Sequence, residues 1–269
     1  MKQLKFLMVA FTLLMGVSFT SCLNDDAGES MYDGIGYVRT VMGSYFVDLY
    51  GNTYHPTMAS VTEMEAQGFK MSGTDLAQVA FKYVEDTPAT KAEGGTFTPQ
   101  DYRIKLVSAI AVDSYSTRYA SSVEDMETIP ETAPIVTLEP TGNYGQTYKP
   151  WMYGAEMLVL PISWKMENKE EMLQHTMELV YINDESNESS TELVFYLRHN
   201  KGTDTKTDVF AVRNKAYDVK QIMSDFKGKH GSYPTTIRIK AKTDMDGAKL
   251  PEKYTDYTIE NFKWNPSNQ

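Results

Sequence analysis

Four histidines, one cysteine and 36 acidic side chains are the groups of this chain that could carry chemistry. His55, His175, His199 and His230 stand far apart. None forms the H-x-H or H-x-x-x-H spacing that brings two imidazoles to one metal ion. Asp244-Met245-Asp246-Gly247 has the texture of part of a calcium loop. That loop needs an acid two residues before Asp244 and a glutamate at its twelfth position. Lys242 and Lys253 stand there, so the tetrapeptide reads as a solvated turn. No G-x-S-x-G marks a nucleophile elbow. Gly34-Ile35-Gly36 lacks the third glycine and the following helix of a dinucleotide fingerprint, and no phosphate-binding loop is present. The expectation is a chain with no catalytic residue, no cofactor and no metal. Carboxylate pairs suited to glycoside hydrolysis stay open, because 36 acids place some pairs close together, and that abundance singles out none.

Cys22 is defined by what precedes it. Lys2 and Lys5 make a short positive region, and Phe6 to Phe19 is an apolar run of 14 residues. A spanning helix needs about 20 apolar residues, so the run reads as the core of a signal peptide. Thr20 and Ser21 are the small residues that a lipoprotein signal peptidase accepts before a cysteine. Phe19 replaces the leucine usual at the third position before the cut. The expectation is that residues 1–21 are a lipoprotein signal peptide and that Cys22 is the site of lipid attachment. Residues 22–33 then form a lipidated flexible tether, and the protein sits at the outer membrane, facing the periplasm or the cell surface. The membrane partner is reached through acyl chains alone. The acidic stretch after Cys22 reads either as a solvated spacer or as a surface-export signal like that of Bacteroidetes lipoproteins.

Removing 21 residues that hold two bases and no acid leaves 248 residues with a formal charge of −12; the full chain of 269 carries −10. An acidic chain is a poor match for nucleic acid, and a mean hydropathy of −0.42 excludes a polytopic membrane protein.

The elements that must position any site are mostly strands. Ile35 to Met42, Tyr45 to Tyr50 and Thr53 to Met58 are strand-like runs punctuated by Gly43-Ser44 and Gly51-Asn52. Ser60-Val61-Thr62-Glu63 fits a capping box and predicts a short helix over Val61 to Gln67, stopped by Gly68. Leu76 to Glu85 and Tyr102 to Val112 follow as strands, with a long loop between them. Three strands, a helix and two strands is the order of an OB-fold, so residues 34–115 are expected to form a five-stranded OB-like barrel. From Met31 to Asp113 six bases face ten acids, a balance that argues against the nucleic-acid role of many OB-folds.

Residues 116–133 are rich in Ser, Thr and acids and read as a linker. Residues 134–269 are expected to form an antiparallel β-sandwich. Its strand-like runs are 135–138, 156–165, 176–182, 192–198, 209–213, 236–242 and 257–264. Asp218-Val219-Lys220-Gln221 resembles a second capping box, with Ile222, Met223 and Phe226 as the buried side of a helix ending at Gly228. Tyr144, Tyr148, Trp151 and Tyr153 lie in a Gly- and Pro-containing stretch. They form either a contact surface for a ligand or partner or a cap on the end of the sandwich.

The opening strand pair GIGYVRTVMGSYFVDLYGNTYHPT, the closing DYTIENFKW and the lipid-attachment sequence together resemble the NigD-like lipoproteins of Bacteroidetes. The resemblance spans the mature chain. It implies an N-terminal OB-like domain followed by a β-sandwich and at most a link to bacteriocin immunity, and it supplies no catalytic residues. The function expected is a non-enzymatic envelope lipoprotein acting as a binding module for a protein, a peptide or a glycan, with no nucleic-acid partner. The alternative is a glycan-directed cell-surface hydrolase with an unrecognised carboxylate site.

Overall fold

The computed structural model describes residues 31–84, 99–142, 145–183 and 189–264. The signal segment, Cys22, most of the tether, Tyr144 and the greater part of the 86–101 and 183–190 loops lie outside them. The chain is mainly β and divides into two compact units, with the boundary between Ser114 and Tyr115.

The first unit runs β1 (Gly34–Val41), β2 (Tyr45–Val47), β3 (Thr53–Pro56), α1 (Met58–Ala66), β4 (Leu76–Tyr83) and β5 (Asp101–Ser116), the last two residues of β5 falling in the second unit. Period-two alternation points Val38, Phe46, Tyr54, Val79, Tyr102, Ile104 and Leu106 into one core with Met64, Phe69 and Met71 from α1 and the loop after it. β1 pairs with β2 and β4, β2 with β3, and β4 with β5, all antiparallel. The parallel pairing of β3 with β5, from Thr53 opposite Asp101 to Pro56 opposite Ile104, closes the ring of five. This is the expected OB-like barrel. The β1–β2 turn has positive φ at both central residues, 50° at Met42 and 64° at Gly43, the geometry that matches strand twist.

α1 starts three residues before its expected position. Pro56 closes β3 and Thr57 is extended, so its hydroxyl accepts the Ser60 N–H at 3.4 Å as the cap. Ser60 is buried inside the first turn, where its hydroxyl donates to the Thr57 carbonyl at 2.9 Å.

The second unit contains β6 (Arg118–Ala120), α2 (Val123–Glu127), β7 (Trp151–Tyr153), β8 (Met157–Met166), a 3-10 turn (Glu170–Gln174), β9 (Thr176–Ile182), β10 (Glu192–Asn200), β11 (Val209–Asp218), α3 (Lys220–His230), β12 (Thr236–Ala241) and β13 (Thr255–Ile259). One sheet is ordered β13-β12-β10-β9-β6, and β11, β8 and β7 pair in that order on the other side. Leu158, Leu160, Ile162 and Trp164 of β8 share a core with Leu179, Phe195, Leu197, Ile237 and Ile239 of the facing sheet and with Ile222, Met223 and Phe226 of α3. This is the expected sandwich, with its five-stranded sheet mixed rather than wholly antiparallel. β10 runs parallel to β12 because the chain leaves for β11 and returns through α3, and β6 runs parallel to β9. Pro161 is tolerated inside β8 because the pairing with β7 reaches no further than Val159, so the missing N–H falls in the gap before the Thr137–Ser163 bridge.

Residues 116–133 are a built part of this unit and not a linker. β6 pairs with β9, and Met126 and Ile129 bury against Ala120 and Val180. The polar composition of the segment is capping chemistry. The Ser122 hydroxyl accepts the Asp125 N–H, and the Asp125 carboxylate accepts the N–H and hydroxyl of Ser121. Residues 135–138 make only isolated bridges, although Ile135 and Leu138 are buried. β13 stops at Ile259, two residues before Asn261 adopts a φ of 54°. α3 runs through Gly228 to a left-handed Gly231 at its C-cap.

Truncating Met126 to alanine is expected to lower unfolding stability by about 2–5 kcal/mol, as for a core methionine. Urea titration of Met126→Ala measures this. A loss within about 0.5 kcal/mol, the range of ordinary surface positions, would return the segment to the status of a linker.

Candidate functional site

The described part of the aromatic stretch is folded rather than loose. The Tyr148 N–H donates to the Pro140 carbonyl and the Gly142 N–H to the Gln146 carbonyl, so residues 140–142 pair with residues 146–148. A β-carbon on Gly142 would lie 2.9 Å from the Tyr148 ring, so that ring rests on the glycine. Trp151 and Tyr153 belong to β7, with ring centroids 6.1 Å apart. Tyr153 is buried in the unit, Trp151 and Tyr148 are half-buried, and Tyr144 lies outside the described residues.

The most organised set of titratable groups is one that spacing along the chain does not announce. Met177, Leu179 and Tyr181 on β9, and Leu193, Phe195 and Leu197 on β10, face the core. His175 and His199 continue those two inward series, one residue before β9 and near the end of β10. Strand parity is the signal that finds them. The register places His199 opposite Met177, and His175 Nδ1 comes within 2.8 Å of His199 Nε2. His199 Nδ1 lies 2.9 Å from the Pro134 carbonyl, and His175 Nε2 lies 2.8 Å from Asp204 Oδ2.

The proton positions follow. A carbonyl only accepts, so His199 donates from Nδ1 and its Nε2 accepts. His175 must therefore donate from Nδ1. An ionised carboxylate also only accepts, so His175 donates from Nε2 as well. Asp204 takes two further donors, the backbone N–H groups of Glu167 and Lys206. Burial would raise the Asp204 carboxyl, but these bonds with His175, Glu167 and Lys206 outweigh it and hold the group below its ordinary range. Burial pushes His199 down to about 4; the Pro134 carbonyl opposes this, while His175, Lys215 and Lys201 add to it. The side chains of His175 and Asp204 are 1% and 0% exposed, so no substrate reaches this relay. Among the described residues no three His, Cys, Asp or Glu side chains could hold a metal ion.

The other sequence candidates fall elsewhere. His55 lies on the outside of the barrel, 2.8 Å from Asp101 and stacked on Tyr45. His230 packs its ring on Phe226 at 4.5 Å. The Asp244 carboxylate is spent on its own turn, accepting the N–H groups of Asp246, Ala248 and Lys249.

A hollow of about 380 Å3 opens at the start of α3, lined by Ser116, Tyr119, Asp218, Gln221, Ser224 and the buried Ile222 among others. Roughly 300–1,000 Å3 is the usual range for a small-molecule site. Tyr119 is 48% exposed, and Tyr181 meets it nearly perpendicular, 5.9 Å between centroids. Partial burial and the carboxylates of Asp225 and Asp218 raise its hydroxyl above the usual tyrosine value. Asp218 Oδ1 accepts the Lys220 N–H, Lys220 Nζ pairs with Glu156, and Gln221 Nε2 donates to Asp225. Asp218 Oδ2, Gln221 Oε1 and the hydroxyls of Ser116, Tyr119 and Ser224 make no hydrogen bond within the described residues. Ser224 and Lys227 also have the S-x-x-K spacing of some acyl-transfer enzymes. The Lys227 ammonium instead lies over the Tyr233 ring, 4.8 Å from its centroid, and no hydrogen bond joins it to Ser224.

The relay gives a pH prediction. The folded His199 value of about 4 is below the model-peptide value of 6.5, so neutral His199 is the form that folds. Its contribution is complete above about pH 6.5 and is lost progressively as pH falls to about 4 and below. At about 1.4 kcal/mol per pH unit the loss is about 3 kcal/mol. Urea titrations between pH 7 and pH 4 should show this loss, and His199→Gln should flatten that part of the curve. A histidine resonance assigned to His199 and titrating near 6.5 would contradict the relay.

Comparison with known proteins comes down to shape. No family model matches the chain, and no curated protein matches it. Solved structures do. A candidate lipoprotein from Bacteroides fragilis aligns over 85% of this chain and 97% of its own, at 21% identity and a TM-score of 0.63. A DUF1344 protein of unknown function from Bacteroides vulgatus aligns over 84% and 89%, at 11% identity and a TM-score of 0.51. A NigD-like immunity protein from Bacteroides caccae aligns more loosely over 83% and 90%, at 12% identity and a TM-score of 0.46. The chain has the fold that its resemblance to the NigD-like lipoproteins implies, an OB-like barrel followed by a β-sandwich, and it shares its fold with the Bacteroides fragilis protein.

Proposed function

We propose that this protein is a non-enzymatic lipoprotein of the outer membrane, anchored through Cys22, that acts by binding. The observation that carries the reading is the placement of its titratable groups. The buried relay of His175, His199 and Asp204 is sealed in the core, where it holds loops together, while the hollow at α3 offers hydrogen-bonding groups to solvent and has no histidine in its lining to activate a hydroxyl. The shared fold with a candidate lipoprotein supports the anchor, and so does the sequence before Cys22. The NigD-like resemblance adds a link to bacteriocin immunity, a task that association with a toxin or its receptor would accomplish without turnover. No helix among the described residues is long and apolar enough to cross a membrane.

Two measurements test this. A fatty-acid analogue fed to cells should label the wild-type chain and leave Cys22→Ala unlabelled; label that persists in the variant would remove the anchor. Purified protein incubated with peptidoglycan and with capsular polysaccharide should release no new reducing ends. Steady release in proportion to enzyme concentration would replace the binding module with a hydrolase.

A further inference from the structure

The hollow at the start of α3 is built from three ordered pieces: the end of β5 with β6, the end of β11, and the first turn and a half of α3. Its free groups are of two kinds. Asp218 Oδ2 and Gln221 Oε1 only accept hydrogen bonds, whereas the hydroxyls of Ser116, Tyr119 and Ser224 donate or accept. Beside them stands the Tyr119 ring, with no aromatic among the described residues stacked face to face on it.

Charge narrows the ligand. An anion is opposed by the Asp218 carboxylate in the lining, and Lys220, the cation of the lining, is already paired with Glu156 at 2.7 Å. A compact cation would pair with Asp218, partly offset by the positive end of the α3 dipole, and would offer no acceptor to the serine and tyrosine hydroxyls. An apolar side chain would leave the Asp218 oxygen desolvated and unpaired. A neutral molecule with several hydroxyls satisfies the set. Adjacent hydroxyls donate to the carboxylate and the amide oxygen, and ring and hydroxyl oxygens accept from the serines. The C–H face of a pyranose, polarised by its oxygens, meets the negative π-face of the tyrosine.

We propose that this hollow binds a neutral saccharide unit, with Tyr119 as its stacking face and Asp218, Gln221, Ser116 and Ser224 as its hydrogen-bonding rim. The inference rests on the binding-module reading above and names a ligand class for it.

Saturation-transfer NMR on the mature chain in detergent tests it. The probes are the methyl glycosides of glucose, galactose, mannose, fucose and N-acetylglucosamine, with inorganic phosphate and N-acetyl-lysine amide as charged controls for competition. At least one glycoside should receive saturation from the protein. Tyr119→Ala and Asp218→Asn should each weaken it by about tenfold or more, while Tyr119→Phe, which keeps the ring, should retain it. Asp218→Asn preserves an oxygen for the Lys220 N–H, so its melting temperature should stay near that of the wild type. Absence of signal from every glycoside overturns the proposal, as does displacement by phosphate or the lysine amide. A glycoside signal untouched by both Tyr119→Ala and Asp218→Asn also overturns it, because the sugar then sits elsewhere. That last result leaves the binding-module reading standing, whereas released reducing ends in the turnover assay would remove the reading itself.

Discussion

Two imidazoles and a carboxylate taken out of water at one end of the sandwich have to satisfy one another, and few arrangements of their protons do so. His199 spends one nitrogen on the Pro134 carbonyl, which makes the other an acceptor, and His175 must then donate in both directions. Each group comes from a different stretch of chain: the segment after α2, the start of β9, the end of β10 and the loop that follows it. Around them Thr132 and Ala133 donate to the His199 carbonyl, and Gln174 accepts from the N–H and hydroxyl of Thr203. The loops at this end are therefore held by groups whose separation would leave a charge buried without a partner, a cost that breaking an ordinary surface pair does not carry.

The barrel solves a different problem. Two of its five strands are short, β2 having three residues and β3 four, so little ladder holds either of them. Closure through the parallel β3–β5 pairing removes the free edges, and the aromatic side chains Tyr54, Phe81, Tyr83 and Tyr102 pack with centroids 5.2–5.3 Å apart on the inside. Asp48 secures the turn between β2 and β3 by accepting from the backbone of Tyr50 and Asn52, the Asn52 amide and the Tyr54 hydroxyl. A carboxylate used in this way is structural, however reactive it looks in a list of acids.

Function by binding suits this division of labour. Sealed polar groups contribute order, and groups left unpaired at a surface hollow are the ones available for the proposed recognition. The hollow at α3 stands on strand ends and a helix start, which hold its side chains more firmly than a loop would. The aromatic stretch that composition pointed to is occupied in a different way: Tyr148 covers Gly142, and Tyr153 fills the interior beside β8.

What the chain determined by itself is what depends on neighbours in sequence. Alternation of apolar residues placed β9 over Thr176–Ile182, selected Ile222, Met223 and Phe226 as the buried side of α3, and ordered the barrel strands around one helix, because side-chain direction repeats every two or 3.6 residues. Local chemistry misled where two segments share a composition. Ser121, Ser122, Asp125 and Thr128 look like a linker until Met126 and Ile129 are seen buried on Val180, and Thr57 rather than Ser60 caps α1 because Pro56 sets where β3 ends. Only the tertiary structure decided which distant groups meet. His175, His199 and Asp204 are separated by up to 29 positions, and Tyr119 lies about a hundred positions from Asp218. Strand register, the parallel return of β12 and the packing of α3 bring such groups together, and those are long-range pairings that no short window of sequence contains.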